Sequence, residues 1–430
     1  MKAKYTHSFF CGHISISAET IAILQRQTLW GDVMLSEREY LQYCNIFYEG
    51  FVDSMLPVED RKANSVYGKL SHMELSLNKS FSLDLNPSGD RRIEFMLKNI
   101  HLFILPFNVT LFAIEIESDE VELNDLTLAH FKLRNVMQYH CDKQIQDSGY
   151  LTLIKPLTNL CSKDINGEVN FSDLGHTGNK LKIYQIINCE DISDNTLYEV
   201  GTLSPIGSVA DHTNINSPSD EYFKNAIETY RISVFRNWKV LNLFDTTTIL
   251  RMGDRPAEGV FDQWSSSYFR LVYLHCLYQK TLLFGINQQF RAASVNRKRI
   301  GDLVQLMKEQ ESYYAFSKIS YNFLPQMMYD GILQGFDVEG ERQQLKYYLD
   351  QEMEKQRESS NDMLNIILTF IALLSVFSAI YDTSSLIKET FELDAATLSY
   401  RYIVFSCGGV VLLSFLLFML YKFMRKLWDK

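Results

Sequence analysis

Two uncharged apolar runs near the C-terminus set the class of this chain. Residues 363–381 read MLNIILTFIALLSVFSAIY, and residues 402–421 read YIVFSCGGVVLLSFLLFMLY. An α-helix needs about 20 apolar residues to cross a hydrocarbon core roughly 30 Å thick, and each run supplies them. The stretch between them, 382–401, is expected to be a short loop. The pattern predicts a large body followed by a transmembrane hairpin.

Basic residues orient that hairpin. Lys422, Arg425, Lys426 and Lys430 follow the second run, and Lys346, Lys355 and Arg357 precede the first. The loop has only Lys388 and Arg401, against Asp382, Glu389, Glu392 and Asp394. An excess of Lys and Arg marks the cytoplasmic side, so both termini are expected in the cytoplasm and the chain in the inner (plasma) membrane, as a multi-pass protein. Tyr400, Tyr402, Tyr421 and Trp428 stand where an interfacial aromatic belt belongs. The start, MKAKYTHSFFCGH, has no apolar core of a signal peptide, and none is expected.

The remaining composition narrows the options. With 52 acidic and 42 basic residues the net charge is −10, which argues against direct nucleic-acid binding. An aromatic content of 13% supports packed cores over disorder. Seven cysteines, odd in number and without a CxxC pair, fit a reducing compartment and free thiols.

Three segments follow from the pattern. Residues 1–200 read as an α/β cytoplasmic domain. Met73, Leu75, Leu77, Phe81, Leu83 and Leu85 alternate as in half-buried strands, with a break at Lys79. Residues 100–117 are strand-like with a break at Pro106-Phe107-Asn108, and 126–137 suit a helix over the sheet. Ile165-Asn166-Gly167-Glu168 reads as a hairpin turn. Residues 201–360 read as a helical domain and stalk. A Pro-, Gly- and Ser-rich linker covers 203–220 and ends in a helix start with Ser217 as N-cap and Pro218 behind it. Phe261, Trp264, Tyr268, Leu271, His275, Tyr278 and Leu282 recur at helical spacing, and another helix covers about 295–320. A last helix opens at Asp337-Val338-Glu339-Gly340 and runs into the first apolar run. Residues 361–430 are the hairpin and its cytoplasmic tail.

This layout resembles the CorA family of membrane proteins. The resemblance covers the whole chain as architecture and is sharpest over roughly the last 90 residues. It implies an α+β cytoplasmic domain, a long stalk helix, a two-helix hairpin and a homo-oligomer, a pentamer or a tetramer. The family's Gly-Met-Asn filter motif should follow the aromatic Tyr381, but Asp382-Thr383-Ser384 stands there. Phe284-Gly285-Ile286-Asn287 mimics the motif but precedes the first run by about 80 residues, so it is read as a helix break. Without the filter the chain is more similar to CorA-like proteins associated with type III CRISPR systems. That similarity implies a membrane effector gated by a nucleotide second messenger, an adduct of S-adenosylmethionine and AMP (SAM-AMP), in antiviral defence. The alternatives are a divalent-cation (magnesium) transporter with a divergent filter and a membrane-tethered binding module with no pore.

Candidate sites follow. Asn365, Thr369, Ala372, Ser375 and Ala379 form a small and polar stripe that continues to Asp382, as a pore lining would, since polar groups avoid lipid. Close helix packing gives the same stripe. Asp382 would ring the outer mouth and favour cations, or be a carboxylate at a helix end. Arg251, Asp254 and Arg255 are expected to bind the ligand's phosphate and polar groups, with Trp264, Tyr268 and Tyr273 stacking on adenine. A turn with surface arginines is the other reading. Arg297-Lys298-Arg299 suits a solvated helix start or a phosphate contact. His275 reads as a core histidine. His7, Cys11 and His13 form a weak metal-ligand pattern, and Ser162 to Asp173 a weaker calcium-loop one, so no metal and no covalent cofactor is expected. With no phosphate-binding glycine loop, HExxH or Gly-x-Ser-x-Gly, no enzymatic activity is expected.

Overall fold

The computed structural model describes residues 1–14, 16, 18–24, 30–58, 64–65, 68–86, 88–136, 153, 180–213, 217–252, 263–293, 297–391 and 409. Its elements, in chain order, begin with β1 (Lys2–Ile14), α1 (Ala18–Leu24), β2 (Gly31–Asp32), α2 (Glu37–Cys44) and α3 (Glu49–Met55). A short pair, β3 (Asn64–Ser65) and β4 (Gly68–Lys69), precedes β5 (Ser71–Asp84), β6 (Arg92–Leu105), β7 (Val109–Glu122) and α4 (Leu123–Arg134). Then come β8 (Lys182–Cys189), α5 (Asp194–Thr202), α6 (Asp220–Tyr230), β9 (Arg231–Ile232), β10 (Trp238–Asn242) and β11 (Thr246–Arg251). A π-helix (Trp264–Tyr273) leads into α7 (Leu274–Ala293), α8 (Arg297–Tyr314), α9 (Phe323–Gly335) and α10 (Val338–Phe391).

One nine-stranded mixed sheet organises the body, in the order β2-β5-β6-β7-β1-β8-β11-β10-β9. Every pairing is antiparallel except β8 with β11. The period-two pattern around Leu75 and Leu83 is β5, and the break at Lys79 is a register shift between Ser76 and Lys79. Such a shift keeps apolar residues on the core face on both sides of it. The break at 106–108 is the β6–β7 turn, where Phe107 and Asn108 adopt the left-handed conformation (φ 58° and 59°).

Both faces of the sheet are covered. On one, Phe10, Ile114, Leu102 and Ile183 pack with Leu126, Ala129 and Leu133 of α4 and Leu197 and Val200 of α5. On the other, Phe9 stacks on Phe269 of the π-helix at 3.7 Å, and the Tyr184 hydroxyl donates to the Trp264 carbonyl at 2.8 Å.

Several expectations are corrected. After Asp220 the chain is not wholly helical: β9, β10 and β11 join the sheet, which therefore takes strands from both sides of residue 200. Ser219, not Ser217, caps α6 by accepting from the Tyr222 N–H, while the Ser217 hydroxyl donates to the carbonyls of Ser208 and Asp211. Residues 284–287 do not break a helix but lie inside α7. The helix carrying the first apolar run does not end near residue 381 but at Phe391, so 382–391 is helix rather than loop. The turn at 165–168, the calcium-like segment and the second apolar run lie outside the described residues, apart from Gly409.

The chain forms two compact units, Met1–Leu349 and Asp350–Lys430. In the first, α10 buries Val338, Leu345 and Leu349. In the second, α10 contains the one helical segment among the described residues that is long and apolar enough to cross a membrane, Asn361–Ala379, with a mean hydropathy of 1.9.

Candidate functional site

The start of α10 borders an open cleft of about 510 Å³, within the usual size range of small-molecule sites. Gln279 of α7, Phe316 and Ser317 after α8, and Tyr329 and Asp330 of α9 line it. Asp337, Glu339 and Arg342 supply its border on α10. Three carboxylates against one guanidinium make the cleft acidic, with an aromatic ring on two sides.

Hydrogen bonds tie this cleft to the helix. Arg342 donates through Nη1 to Glu339 Oε2 at 2.6 Å and through Nη2 to Gln279 Oε1 at 2.5 Å. Gln279 Nε2 donates to the Tyr329 hydroxyl at 2.9 Å and lies 3.1 Å from His275 Nδ1. The Nε of Arg342 is buried without a hydrogen-bond partner. Beside this relay, Lys280 Nζ of α7 pairs with Glu341 Oε2 at 2.6 Å, both side chains being only 16% exposed. The first two turns of α10 are thus held to α7 by one charge-assisted hydrogen bond, Arg342 to Gln279, and one ion pair, Lys280 with Glu341. Burial, with the Arg342 charge nearby, pushes the His275 imidazole down to about 3, so it is neutral at pH 7.

The joint between α9 and α10 is tight. Asp337 has φ 52°, which an L-residue other than Gly, Asn or Asp rarely adopts. A Cβ on Gly335 would lie 2.6 Å from the Asn242 carbonyl oxygen. A Cβ on Gly340 would lie 2.3 Å from Asp337 Oδ1. Gly335 thus lets α9 approach the Asn242 backbone, and Gly340 leaves room for the Asp337 carboxylate.

The expected ligand residues are placed differently. Trp264 and Tyr268 do come together, but they stack on one another at 4.7 Å, and Trp238 meets Trp264 edge-on at 5.3 Å. Both are buried, at 4% and 6% exposure, so no ring face is open to a base in this conformation. Tyr273 is wholly buried. Arg251 ends β11 in register with Trp238, and its Nη1 is buried without a hydrogen-bond partner. Asp254 and Arg255 lie outside the described residues. Arg297 opens α8.

The polar stripe lies on α10, where Asn365, Thr369, Ala372, Ser375, Ala379 and Asp382 are all exposed in the single chain. The hydroxyls of Thr369 and Ser375 donate to the carbonyls of Asn365 and Ile371 at 2.7 and 2.9 Å. Such back-bonding lets a hydroxyl sit in an apolar medium. Asp382 is within the helix rather than at its end.

The cleft residues were not found from the sequence because they come from positions 279 to 342, in four separate elements. The one local signal was the helix start at Asp337-Val338-Glu339-Gly340. A second group also escaped notice. His72, Glu74 and His101 place ligand-type atoms within 4.8 Å of one another, as do His7, Glu115 and Glu117. Of the residues His7, Cys11 and His13, only His7 enters such a group, through neighbouring strands. The signal available was His72-x-Glu74, which puts both side chains on one face of a strand.

The chain matches no known protein-family model, and no curated protein matches it.

Proposed function

We propose that this protein is a membrane effector whose channel-forming segment is controlled from the cytoplasm by a small ligand. The observation that carries this reading is α10: one 54-residue helix, about 80 Å long at 1.5 Å per residue, begins at the cleft and contains the apolar segment. A ligand in the cleft competes for Arg342 and Gln279, whose hydrogen bond holds the first turns of the helix to α7. Its differential contact with held and released states is what biases them. The helix then carries that bias to the apolar segment.

In the membrane, several copies line a pore with Asn365, Thr369, Ala372, Ser375, Ala379 and Asp382. One or two helices per chain cannot enclose a channel, so the effector is an oligomer, a tetramer or pentamer. The resemblance to CorA-like proteins beside type III CRISPR systems nominates the S-adenosylmethionine–AMP adduct as the ligand and antiviral membrane disruption as the outcome. The acidic cleft suits the adduct's sulfonium, and the half-buried Phe316 suits one of its bases. No catalytic step is part of this reading.

The test is ion flux from liposomes holding the full chain, with and without the adduct and with magnesium varied. Adduct-dependent leakage that Arg342→Ala abolishes is the expected result. Magnesium flux indifferent to the adduct would replace this reading with a cation transporter.

A further inference from the structure

Beneath the π-helix, the body sheet gathers three histidines and two glutamates on one face. His7 is on β1, His72 and Glu74 on β5, His101 on β6 and Glu115 on β7. His7, His72, His101 and Glu115 are 6%, 2%, 1% and 9% exposed. So much titratable chemistry in a β-sheet core is expensive unless it is paired or holds an ion. Neither the cleft nor α10 uses it.

We propose that His72, Glu74 and His101 form a binding site for a divalent transition metal of the zinc class. His72 Nε2 is 3.2 Å from His101 Nδ1, and Glu74 Oε2 is 3.3 Å from the same nitrogen. Ligands about 2.0–2.1 Å from a tetrahedral zinc lie about 3.3 Å from each other, so the two distances to His101 Nδ1 match a coordination edge, and all three atoms lie within 4.8 Å of one another.

Of the two histidines, His101 has an outer partner, whereas the Nδ1 of His72 is buried without a hydrogen-bond partner. His101 Nε2 lies 3.2 Å from Glu115 Oε2, the carboxylate–histidine arrangement that fixes a metal-bound imidazole. With Nε2 donating there, the lone pair on Nδ1 faces the Glu74 carboxylate. The same lone pair lies 3.2 Å from His72 Nε2, so a cation among the three atoms would take the place of that contact. Glu115 also meets His7, Oε1 lying 2.6 Å from Nε2. Asn99 Nδ2 also donates to it, at 2.6 Å.

The neighbouring group does not fit an ion as well. His7 Nε2 and Glu115 Oε1 are 2.6 Å apart, the length of a hydrogen bond and too short for two ligands of one zinc. Glu117 is paired with Lys98 at 3.6 Å. Access to the proposed site is from the Glu74 side, where that side chain is 24% exposed and Arg270 Nη2 stands 4.0 Å from Oε2. Phe103 closes the other side, stacked on His72 at 4.3 Å.

The experiment uses the full chain in detergent, stripped with a chelator and titrated with zinc alone by calorimetry. Saturable binding of about one zinc per chain is expected, with a rise in melting temperature. Glu74→Gln and His72→Asn should each weaken it about 10- to 100-fold, while Glu117→Gln leaves it unchanged. Circular dichroism checks that each variant is folded. Cobalt in the unmutated chain, with the intense visible bands of a tetrahedral site, provides a readout that needs no variant. Absence of saturable zinc binding would overturn the proposal, leaving His101 as a core histidine in contact with His72, Glu74 and Glu115. Binding that Glu74→Gln and His72→Asn leave intact would overturn it equally.

Discussion

The two ends of α10 obey opposite rules. From Val338 to Leu349 the helix is built for a protein interior, with Val338, Leu345 and Leu349 at 1–2% exposure and Glu341 and Arg342 held by partners. Between Asn361 and Ala379 none of the apolar segment is buried, and Met363, Leu364 and Leu368 are 56–63% exposed. Water would not tolerate the second half, whereas lipid or other apolar helices would. The same secondary structure thus buries its apolar side chains in one half and exposes them in the other. Changes in the body should register as folding free energy, and changes in the apolar segment as insertion or flux.

The largest effect that sharpens this contrast comes from pH. Burial pushes His130 down to about 4, although its hydrogen bond with Gln185 raises it, and His275 sits at about 3. Below the unfolded value near 6.5 the unfolded chain binds protons that these two sites refuse. Body stability is therefore full above pH 6.5. It falls by up to about 1.4 kcal/mol per pH unit for each histidine, until pH 4 for His130 and pH 3 for His275. Unfolding followed at a series of pH values should show that slope, while helicity of the apolar segment in detergent should not change. Stability that stays flat from pH 7 to 5 would remove the buried, neutral histidines from the account.

A paired truncation comes next. Leu345→Ala, in the body, is expected to lower its unfolding free energy by about 2–5 kcal/mol. Leu368→Ala, on the exposed apolar surface, should leave body unfolding unchanged. Equal losses would erase the distinction between the two halves. A charge in the apolar segment reverses the roles. Ile371→Arg should oppose membrane insertion by about 3 kcal/mol, read as loss of the membrane-bound fraction, with the body's melting unaffected. The smallest effect is at the joint. Gly335→Ala drives a Cβ against the Asn242 backbone and should destabilise the body by about 1–3 kcal/mol, measured by denaturant unfolding.

Much of this contrast was legible in the sequence because it rests on periodicity. Alternation gave β5 and its irregularity at Lys79, and the turn at 106–108 announced itself through Pro106 and Asn108. The continuous helix from Val338 into the apolar run followed from a plausible start and the absence of a breaker. Short elements were another matter. β9 has two residues and β11 reads Thr-Thr-Thr-Ile-Leu-Arg, buried over its first five positions, so neither shows the alternation of a half-buried strand. Gly285 suggested a break, but a single glycine in a packed helix is tolerated at about 1 kcal/mol. Ser217 and Ser219 are equivalent caps by composition, and the bonds from Ser217 to Ser208 and Asp211 decide between them.

Sites assembled across the fold were the least readable. Trp264 and Tyr268 looked like a stacking pair for a base, and they stack on each other instead, because helical spacing that aligns two rings also lets them meet. The cleft at Arg342 joins four elements, and the His72–Glu74–His101 group needs the β5–β6 register that pairs Glu74 with His101. Neither spacing exists along the chain.

The central claim is that α10 transmits the state of the cleft to the apolar segment. Lys355→Pro interrupts the helix between the two without touching either, since proline removes one hydrogen bond and clashes with the preceding turn. The decisive measurement is adduct-induced flux from liposomes carrying this variant, with adduct binding measured alongside. Retained binding with flux lost is the expected result. Flux that still answers to the adduct through the broken helix would contradict the claim.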